Sequence, residues 1–217
     1  MSALEYLFSK WCNLLLQLEI KSTKITENTF AVIAKEYSQT GRYYHNLQHI
    51  FHVLEIIETL GNLTNQLTSV ELAAWFHDVI YDPKAQDNEE KSAMYATNLM
   101  KSLGIDSTTI ANVNCLILST KLHQADINDI DSQILLDADL AILGSPVQQY
   151  LTYAKNVRQE YAWISDRDYQ NGRRRVLEQF LQRERIYYTD AMFDKLEQPA
   201  RNNLNTELRT YRINFFI

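Results

Sequence analysis

Apolar residues recur along most of this chain with the spacing of helices rather than strands. Near the N terminus they lie three or four positions apart, which places one stripe on a helix face: Leu4, Leu7, Phe8, Trp11, Leu14, Leu15 and Leu18. Similar patterns predict helices over residues 3–20, 26–39, 44–60, 87–103, 107–121, 132–142, 146–164, 168–184 and 190–212, with a shorter helix capped by Thr68 or Ser69. The pattern therefore predicts an all-α protein.

Glycine and proline, the residues that most often interrupt secondary structure, are few: the 217 residues include five glycines and three prolines. Long helices are compatible with so few breakers, whereas a sandwich or barrel with many turns is not. No repeat, low-complexity tract or linker interrupts the pattern. We expect one all-helical domain over residues 1–217, which is long enough to bury a large core.

The net charge of −6 and the pI near 5.4 disfavour a nucleic-acid or membrane-surface binder. The first apolar stretch contains Glu5, Lys10 and Glu19 and lacks a basic start, so it does not resemble a signal peptide. Cys12 and Cys115 are too few for a disulfide framework. We expect a cytoplasmic protein without nucleic-acid or membrane partners, and a homodimer as the assembly that exposed helix faces would allow.

Histidines are concentrated in two short stretches, which hold four of the five in the chain. If His45 lies on the same helix, His49 and His52 are rotated from it by about 40° and 340° around the helix axis, so the three side chains would share one face. His77 precedes Asp78 directly, after an apolar run. Imidazole and carboxylate are ligands of divalent metals, so this concentration predicts a metal site.

The adjacent pair His77-Asp78 cannot point in one direction from a helix, because neighbouring side chains diverge by about 100°. The two side chains can instead surround an ion that lies beyond the helix end. Such a site needs a further ligand from another helix, and His49 is a candidate.

Together these motifs resemble those of the HD superfamily of metal-dependent phosphohydrolases, and most closely the subgroup of predicted metal-dependent HD phosphohydrolases. The similar segments are residues 42–50, 74–83, 87–93, 135–144 and 158–161. The resemblance covers about residues 40–205 and implies an HD-domain-like helical bundle. It implies His49, His77, Asp78 and Asp139 as metal ligands. Asp137 is the alternative to Asp139; the two lie about 200° apart on a helix, so only one can face the ion.

The resemblance also implies hydrolysis of a phosphate ester in a small phosphorylated metabolite or nucleotide, through water activated by a divalent metal. The ligand set suits Mg²⁺, Mn²⁺, Fe²⁺, Co²⁺, Ni²⁺ or Zn²⁺, as one ion or two. Asp82 and Glu89 are candidates for the carboxylate that orients the water, although a turn and a helix N terminus would equally explain them. His123 could donate a proton, bind a second metal or lie in a solvated loop.

Cationic and imidazole groups would bind the phosphorylated substrate. Arg42, Arg158 and Arg173 offer planar guanidinium groups that fit phosphate, and His45 is a further candidate. The run of arginines from Arg173 could instead form a solvated helix face.

Two other functions compete with hydrolysis. Some HD proteins are di-iron oxygenases, which need additional histidines, and His45, His52 and His123 could provide them. A non-catalytic module that binds a nucleotide or a partner protein is the third hypothesis.

Overall fold

The structure is a computed structural model that describes residues 2–64 and 66–213, with side chains up to residue 211. Within this part of the chain the secondary structure is helical and contains no strand, so the predicted all-α class is confirmed. Ten α-helices follow one another: α1 (Ala3–Gln17), α2 (Thr23–Tyr37), α3 (Leu47–Leu60), α4 (Leu67–Phe76), α5 (Asn88–Ser102), α6 (Ser107–Ser119), α7 (Ile130–Leu140), α8 (Val147–Glu160), α9 (Asp166–Gln182) and α10 (Asp190–Ile213).

The chain divides into two compact units, Met1–Ala138 and Asp139–Ile217. The division falls inside α7, whose last two residues are counted with the second unit. We describe each unit by itself. The prediction of a single domain stays a prediction.

Helix α4 is the centre of the first unit and packs against α1, α3, α5 and α6. Its residues from 69 to 76 are buried except Glu71, as expected for a helix that is apolar on nearly all sides. Trp75 contacts the ring of Trp11 edge to face, with ring centroids 5.4 Å apart. Burial of one large apolar side chain contributes about 1.5–3 kcal/mol, so the end of α4 is held firmly by its core packing.

The second unit is built around α10, which packs against α9 and against a short 3-10 turn, Ala141–Gly144. Helix α8 packs against the same turn. Gly144 is required there because a Cβ atom at this position would lie 2.6 Å from the Cβ atom of Leu196. The close approach of the turn to α10 therefore requires a glycine, which has no Cβ atom, at position 144.

The predicted helices differ from the observed ones by up to three residues at their N termini and by up to four at their C termini, where α8 ends at Glu160 rather than at residue 164. Helix α2 begins at Thr23, because the hydroxyl of Ser22 accepts a hydrogen bond from the Ile25 amide and caps it. Helix α3 begins at Leu47 rather than at residue 44, because Asn46 caps it by accepting from the Gln48 amide. The prediction that His45 lies on the same helix as His49 and His52 is therefore wrong.

Candidate metal site

Helix α3 carries His49 on its buried face, in the first turn after the Asn46 cap. The imidazole is 3% exposed and lies against the ring of Tyr44, with centroids 4.9 Å apart. His52, one turn later, has a side chain that is 57% exposed; its Nε2 atom lies 3.1 Å from Nε2 of the Gln48 side chain, and its Nδ1 atom is close to Glu55. Of the histidines on this helix, only His49 is thus directed into the core.

His77 and Asp78 follow the end of α4, where the backbone leaves the helix. The His77 amide still donates to the Ala73 carbonyl, 2.8 Å away, so His77 is the last residue that the helix holds. Its Nδ1 atom lies 3.0 Å from the Ala74 carbonyl oxygen. A carbonyl oxygen can only accept, so Nδ1 carries the proton, and in the neutral ring Nε2 carries a lone pair.

Three potential ligand atoms face one another at this point. Nε2 of His77 lies 3.1 Å from Nε2 of His49 and 3.2 Å from Oδ2 of Asp78. Nε2 of His49 lies 3.5 Å from the same Oδ2 atom. We call these three residues the His–Asp cluster.

The distances in the His–Asp cluster match those between ligands of one ion. Two donors bound at 2.0–2.2 Å and separated by tetrahedral or octahedral angles lie about 2.8–3.6 Å apart. All three separations fall in this interval. The donor set of two imidazoles and one carboxylate therefore fits a divalent cation in both chemistry and spacing.

The carboxylate of Asp78 remains ionised although only 18% of its side chain is exposed. Burial alone would raise its pKa, but the neighbouring imidazoles of His77 and His45 and a hydrogen bond from His49 outweigh burial. The pKa of Asp78 is consequently held well below its ordinary value of 3.8. A buried carboxylate that stays charged is a strong ligand for a cation.

Asp139 lies in the last turn of α7, a helix whose residues 130–138 belong to the first unit. One ligand atom each from His49, His77 and Asp139 lie within 4.8 Å of one another. Asp137, the alternative from the sequence, is fully buried. The grouping favours Asp139 over Asp137 as an additional ligand.

The backbone around His77 and Asp78 is fixed by side chains from distant positions. Arg42 donates from Nη1 to the Asp78 carbonyl at 2.7 Å and from Nη2 to the Val79 carbonyl at 2.8 Å. The hydroxyl of Tyr37 donates to the Trp75 carbonyl at 2.9 Å. The sequence does not reveal the role of Tyr37, and it suggests substrate binding for Arg42, because contacts across more than 35 positions leave no local signal.

His45 lies in the irregular segment before α3, where its ring stacks on Tyr81 with centroids 4.1 Å apart. The centroids of the His45 and His49 rings are 5.9 Å apart. His45 is therefore a neighbour of the His–Asp cluster, although it does not share a helix with the other histidines. Its predicted role in substrate binding stays a prediction.

The three catalytic candidates lie on loops and at a helix start. Asp82 is exposed, and its Oδ1 atom accepts from the Lys84 amide at 2.9 Å, which is the turn-forming role that the sequence also allowed. Glu89 lies in the first turn of α5. His123 has a φ of 49° in the loop between α6 and α7. Their catalytic roles stay predictions.

Two of the arginines assigned to substrate are engaged within the second unit. Arg158 donates to the Tyr161 carbonyl at 2.8 Å and pairs with Asp166. Arg173 is 9% exposed and binds Glu207 through two hydrogen bonds of 2.9 and 3.1 Å. Phosphate binding by Arg173 would require this buried ion pair to open.

Glu207 also accepts hydrogen bonds from the hydroxyls of Tyr150 and Tyr211. We call Arg173, Glu207, Tyr150 and Tyr211 the Arg–Glu cluster. Burial alone would raise the pKa of Glu207, but Arg173 and the two tyrosine hydroxyls lower it below its ordinary value of 4.5. Each acceptor in this cluster thus has a donor.

Comparisons of the chain with protein families, with curated proteins and with solved structures find no match. Within the described residues, no helix is both long and apolar enough to cross a membrane. The chemistry of the His–Asp cluster is therefore the main indication of function.

Proposed function

We propose that the protein is a metal-dependent phosphohydrolase of the HD type, which acts on a small phosphorylated metabolite or nucleotide. His49, His77, Asp78 and Asp139 would hold the divalent cation. The observation that carries the proposal is the orientation of His77, whose Nδ1–H donates to the Ala74 carbonyl and leaves Nε2 facing His49 and Asp78. Metal-binding histidines are commonly oriented in this way.

A bound divalent cation supplies a Lewis acid that lowers the pKa of water and polarises a phosphoryl oxygen. The protein contributes the fixed positions of the ligands. Arg42 and Tyr37 hold the carbonyl groups at the end of α4, so the imidazole of His77 and the carboxylate of Asp78 need no rearrangement to bind. Such preorganisation is what catalysis by positioning and charge requires.

Side chains in or near the sequence motifs would carry out the proton transfers. A carboxylate oxygen of Glu89 or Asp82 would accept the proton of the attacking water, and a ring nitrogen of His123 would donate one to the leaving oxygen. Of these carboxylates, we favour Glu89 because Oδ1 of Asp82 already accepts from the Lys84 amide. His45 is the substrate-binding candidate nearest the His–Asp cluster.

The proposal is tested by measuring metal content and phosphatase turnover on the same preparations. Protein stripped with a chelator is loaded separately with Mg²⁺, Mn²⁺, Fe²⁺, Co²⁺, Ni²⁺ and Zn²⁺ and assayed against a panel of phosphorylated metabolites and nucleotides. We expect metal-dependent release of phosphate by the wild type. Asp78→Ala and His77→Gln should lose both metal and turnover.

His52→Gln is the matched control, because His52 lies on the same helix as His49 but has an exposed side chain. This variant should keep its metal and its turnover. Turnover by metal-free Asp78→Ala would contradict the proposal.

The other functions give different results in the same experiment. A tightly bound pair of iron ions with oxygen-dependent turnover would indicate a di-iron oxygenase. Ligand binding without turnover under any metal would indicate a non-catalytic module. Only hydrolysis predicts phosphate release that follows metal occupancy. We further propose, from composition, that the protein acts in the cytoplasm.

A further inference from the structure

The second unit contains a cavity that is independent of the His–Asp cluster. It has a volume of about 520 Å³ and is lined by residues of α8, α9 and α10. Pockets for small organic molecules usually have volumes of about 300–1,000 Å³. The cavity is therefore large enough for a ligand with an aromatic ring and a short chain.

The walls of the cavity are largely apolar. Helix α8 contributes Val147, Leu151 and Ala154, and α9 and α10 contribute the rings of Tyr169 and Tyr211. Val147 and Leu151, one helical turn apart in the lining, are 58% and 51% exposed and leave apolar surface in contact with solvent. A ligand with an apolar body would cover them.

The Arg–Glu cluster contributes Tyr150, Glu207 and Tyr211 to the lining, but it offers little hydrogen-bonding capacity to a ligand. The carboxylate of Glu207 already accepts from Arg173 and from both tyrosines. The negative charge of Glu207 is matched by the guanidinium of Arg173. A cationic ligand would find no uncompensated partner in this cluster.

The hydroxyl of Tyr169 is different. Tyr169 is 6% exposed, and its hydroxyl is buried with no hydrogen-bond partner among the described residues. A buried hydroxyl without a partner is costly, and a ligand oxygen that accepted its proton would remove this cost. Burial raises the pKa of Tyr169 to about 12, so the hydroxyl keeps its proton and can only gain from an acceptor.

We infer that the cavity binds a small organic acid that combines an apolar, ring-sized body with a carboxylate. The body packs against Val147, Leu151 and Ala154, and the Tyr169 hydroxyl donates to an acceptor oxygen of the ligand. Lys155, an exposed residue of the lining, supplies the favourable charge. The inference does not depend on the proposed phosphohydrolase activity.

The test is titration of the full-length protein with 3-phenylpropionate, followed by NMR of backbone amides and by calorimetry. We expect saturable binding with a Kd of about 1 mM, a value typical of a ligand of this size. The shifted amides should lie in residues 147–158, 166–170 and 202–211. The neutral analogue 3-phenyl-1-propanol should bind about fivefold more weakly.

Two variants locate the site. Ala154→Phe places a ring in the cavity and should abolish binding, and because Ala154 is a partly exposed residue of the lining the substitution leaves the buried core unchanged. Tyr169→Phe removes only the hydroxyl and should weaken binding about fivefold. Tyr43→Phe, at an exposed tyrosine outside the cavity lining, is the control and should bind as the wild type does.

Tyr169→Phe should also leave the Tm of the ligand-free protein unchanged or higher, because it removes a buried hydroxyl without a partner. A Tm lower by several degrees would show that the hydroxyl has a structural partner and would overturn the inference. Absence of saturable binding up to about 20 mM, or equal binding by wild type, Ala154→Phe and Tyr169→Phe, would overturn it as well.

Discussion

The two units each contain a cluster of buried polar side chains, and the two clusters differ in how their donors and acceptors match. In the Arg–Glu cluster, Glu207 receives two hydrogen bonds from Arg173 and one from each of two tyrosine hydroxyls. In the His–Asp cluster, the atoms that face one another are two imidazole nitrogens and a carboxylate oxygen. At least two of these three atoms are acceptors, because neutral His77 carries its proton on Nδ1.

The difference indicates different roles. A cluster whose donors and acceptors match has no need of a ligand. Its role is structural, because the loss of one partner would leave the other buried and unpaired, which destabilises the fold. A cluster in which acceptors converge gains from a proton or a cation placed among them. Buried polar side chains therefore predict a structural site in one unit and a ligand site in the other.

Substitution in the Arg–Glu cluster should change stability more than any other change considered below. Glu207→Gln removes the charge that compensates Arg173, and the loss of one partner of a buried ion pair costs about 3–5 kcal/mol. We expect the free energy of unfolding, measured by chemical denaturation, to fall by this amount without loss of metal. Glu178→Gln, at the exposed pair with Arg174, is the control and should change it by less than about 0.5 kcal/mol. Equal small effects would contradict the assigned structural role.

The next effect concerns turnover. Asp78→Asn keeps the shape of the side chain but weakens a charged ligand, so kcat/KM should fall at least about a hundredfold, equivalent to about 2.7 kcal/mol. Asp87→Asn, at an exposed ion pair with Lys91, should leave phosphatase turnover unchanged. Retained phosphatase activity in Asp78→Asn would contradict the role of the His–Asp cluster as a metal site needed for turnover.

A smaller effect should appear on acidification. The pKa of Glu207 is lower in the folded protein than its ordinary value of 4.5, because Arg173 and the tyrosine hydroxyls outweigh the effect of burial. The contribution of this carboxylate to stability is therefore complete above about pH 4.5 and is lost as the pH falls through the folded pKa. The difference in unfolding free energy between wild type and Glu207→Gln should shrink between pH 5 and pH 3. If this difference in unfolding free energy does not change with pH, the negative charge of Glu207 is not the source of its contribution to stability.

The smallest effect concerns the support of the His–Asp cluster. Tyr37→Phe removes the hydroxyl that donates to the Trp75 carbonyl but keeps the ring on which Arg42 packs. We expect a loss of about 1 kcal/mol in the free energy of unfolding, since one buried acceptor loses its partner. Tyr43→Phe, which alters an exposed tyrosine, should have no measurable effect on unfolding.

Most of the fold could be predicted from the sequence because helix-period patterns and caps are local. Helix α1 is predicted at its first residue, and its buried residues Leu7, Trp11, Leu14 and Leu15 belong to the predicted stripe. The predicted start of α3 is too early because the apolar pattern does not reveal the Asn46 cap, and the prediction therefore includes His45 in the helix.

The site could be predicted only in its residue types. The sequence indicated His49, His77 and Asp78 as ligands, and their side chains converge. It could not indicate which arginines are free, because the partner of Arg173 lies 34 residues away and that of Arg42 is a backbone carbonyl. Such pairings are decided by tertiary packing and leave no local pattern.

The most direct test of the metal site is anomalous diffraction from a crystal of the wild-type protein grown with Mn²⁺ or Ni²⁺. We expect a metal peak about 2.0–2.3 Å from Nε2 of both His49 and His77 and from a carboxylate oxygen of Asp78. A fully metal-loaded crystal with no peak among these three atoms would contradict it.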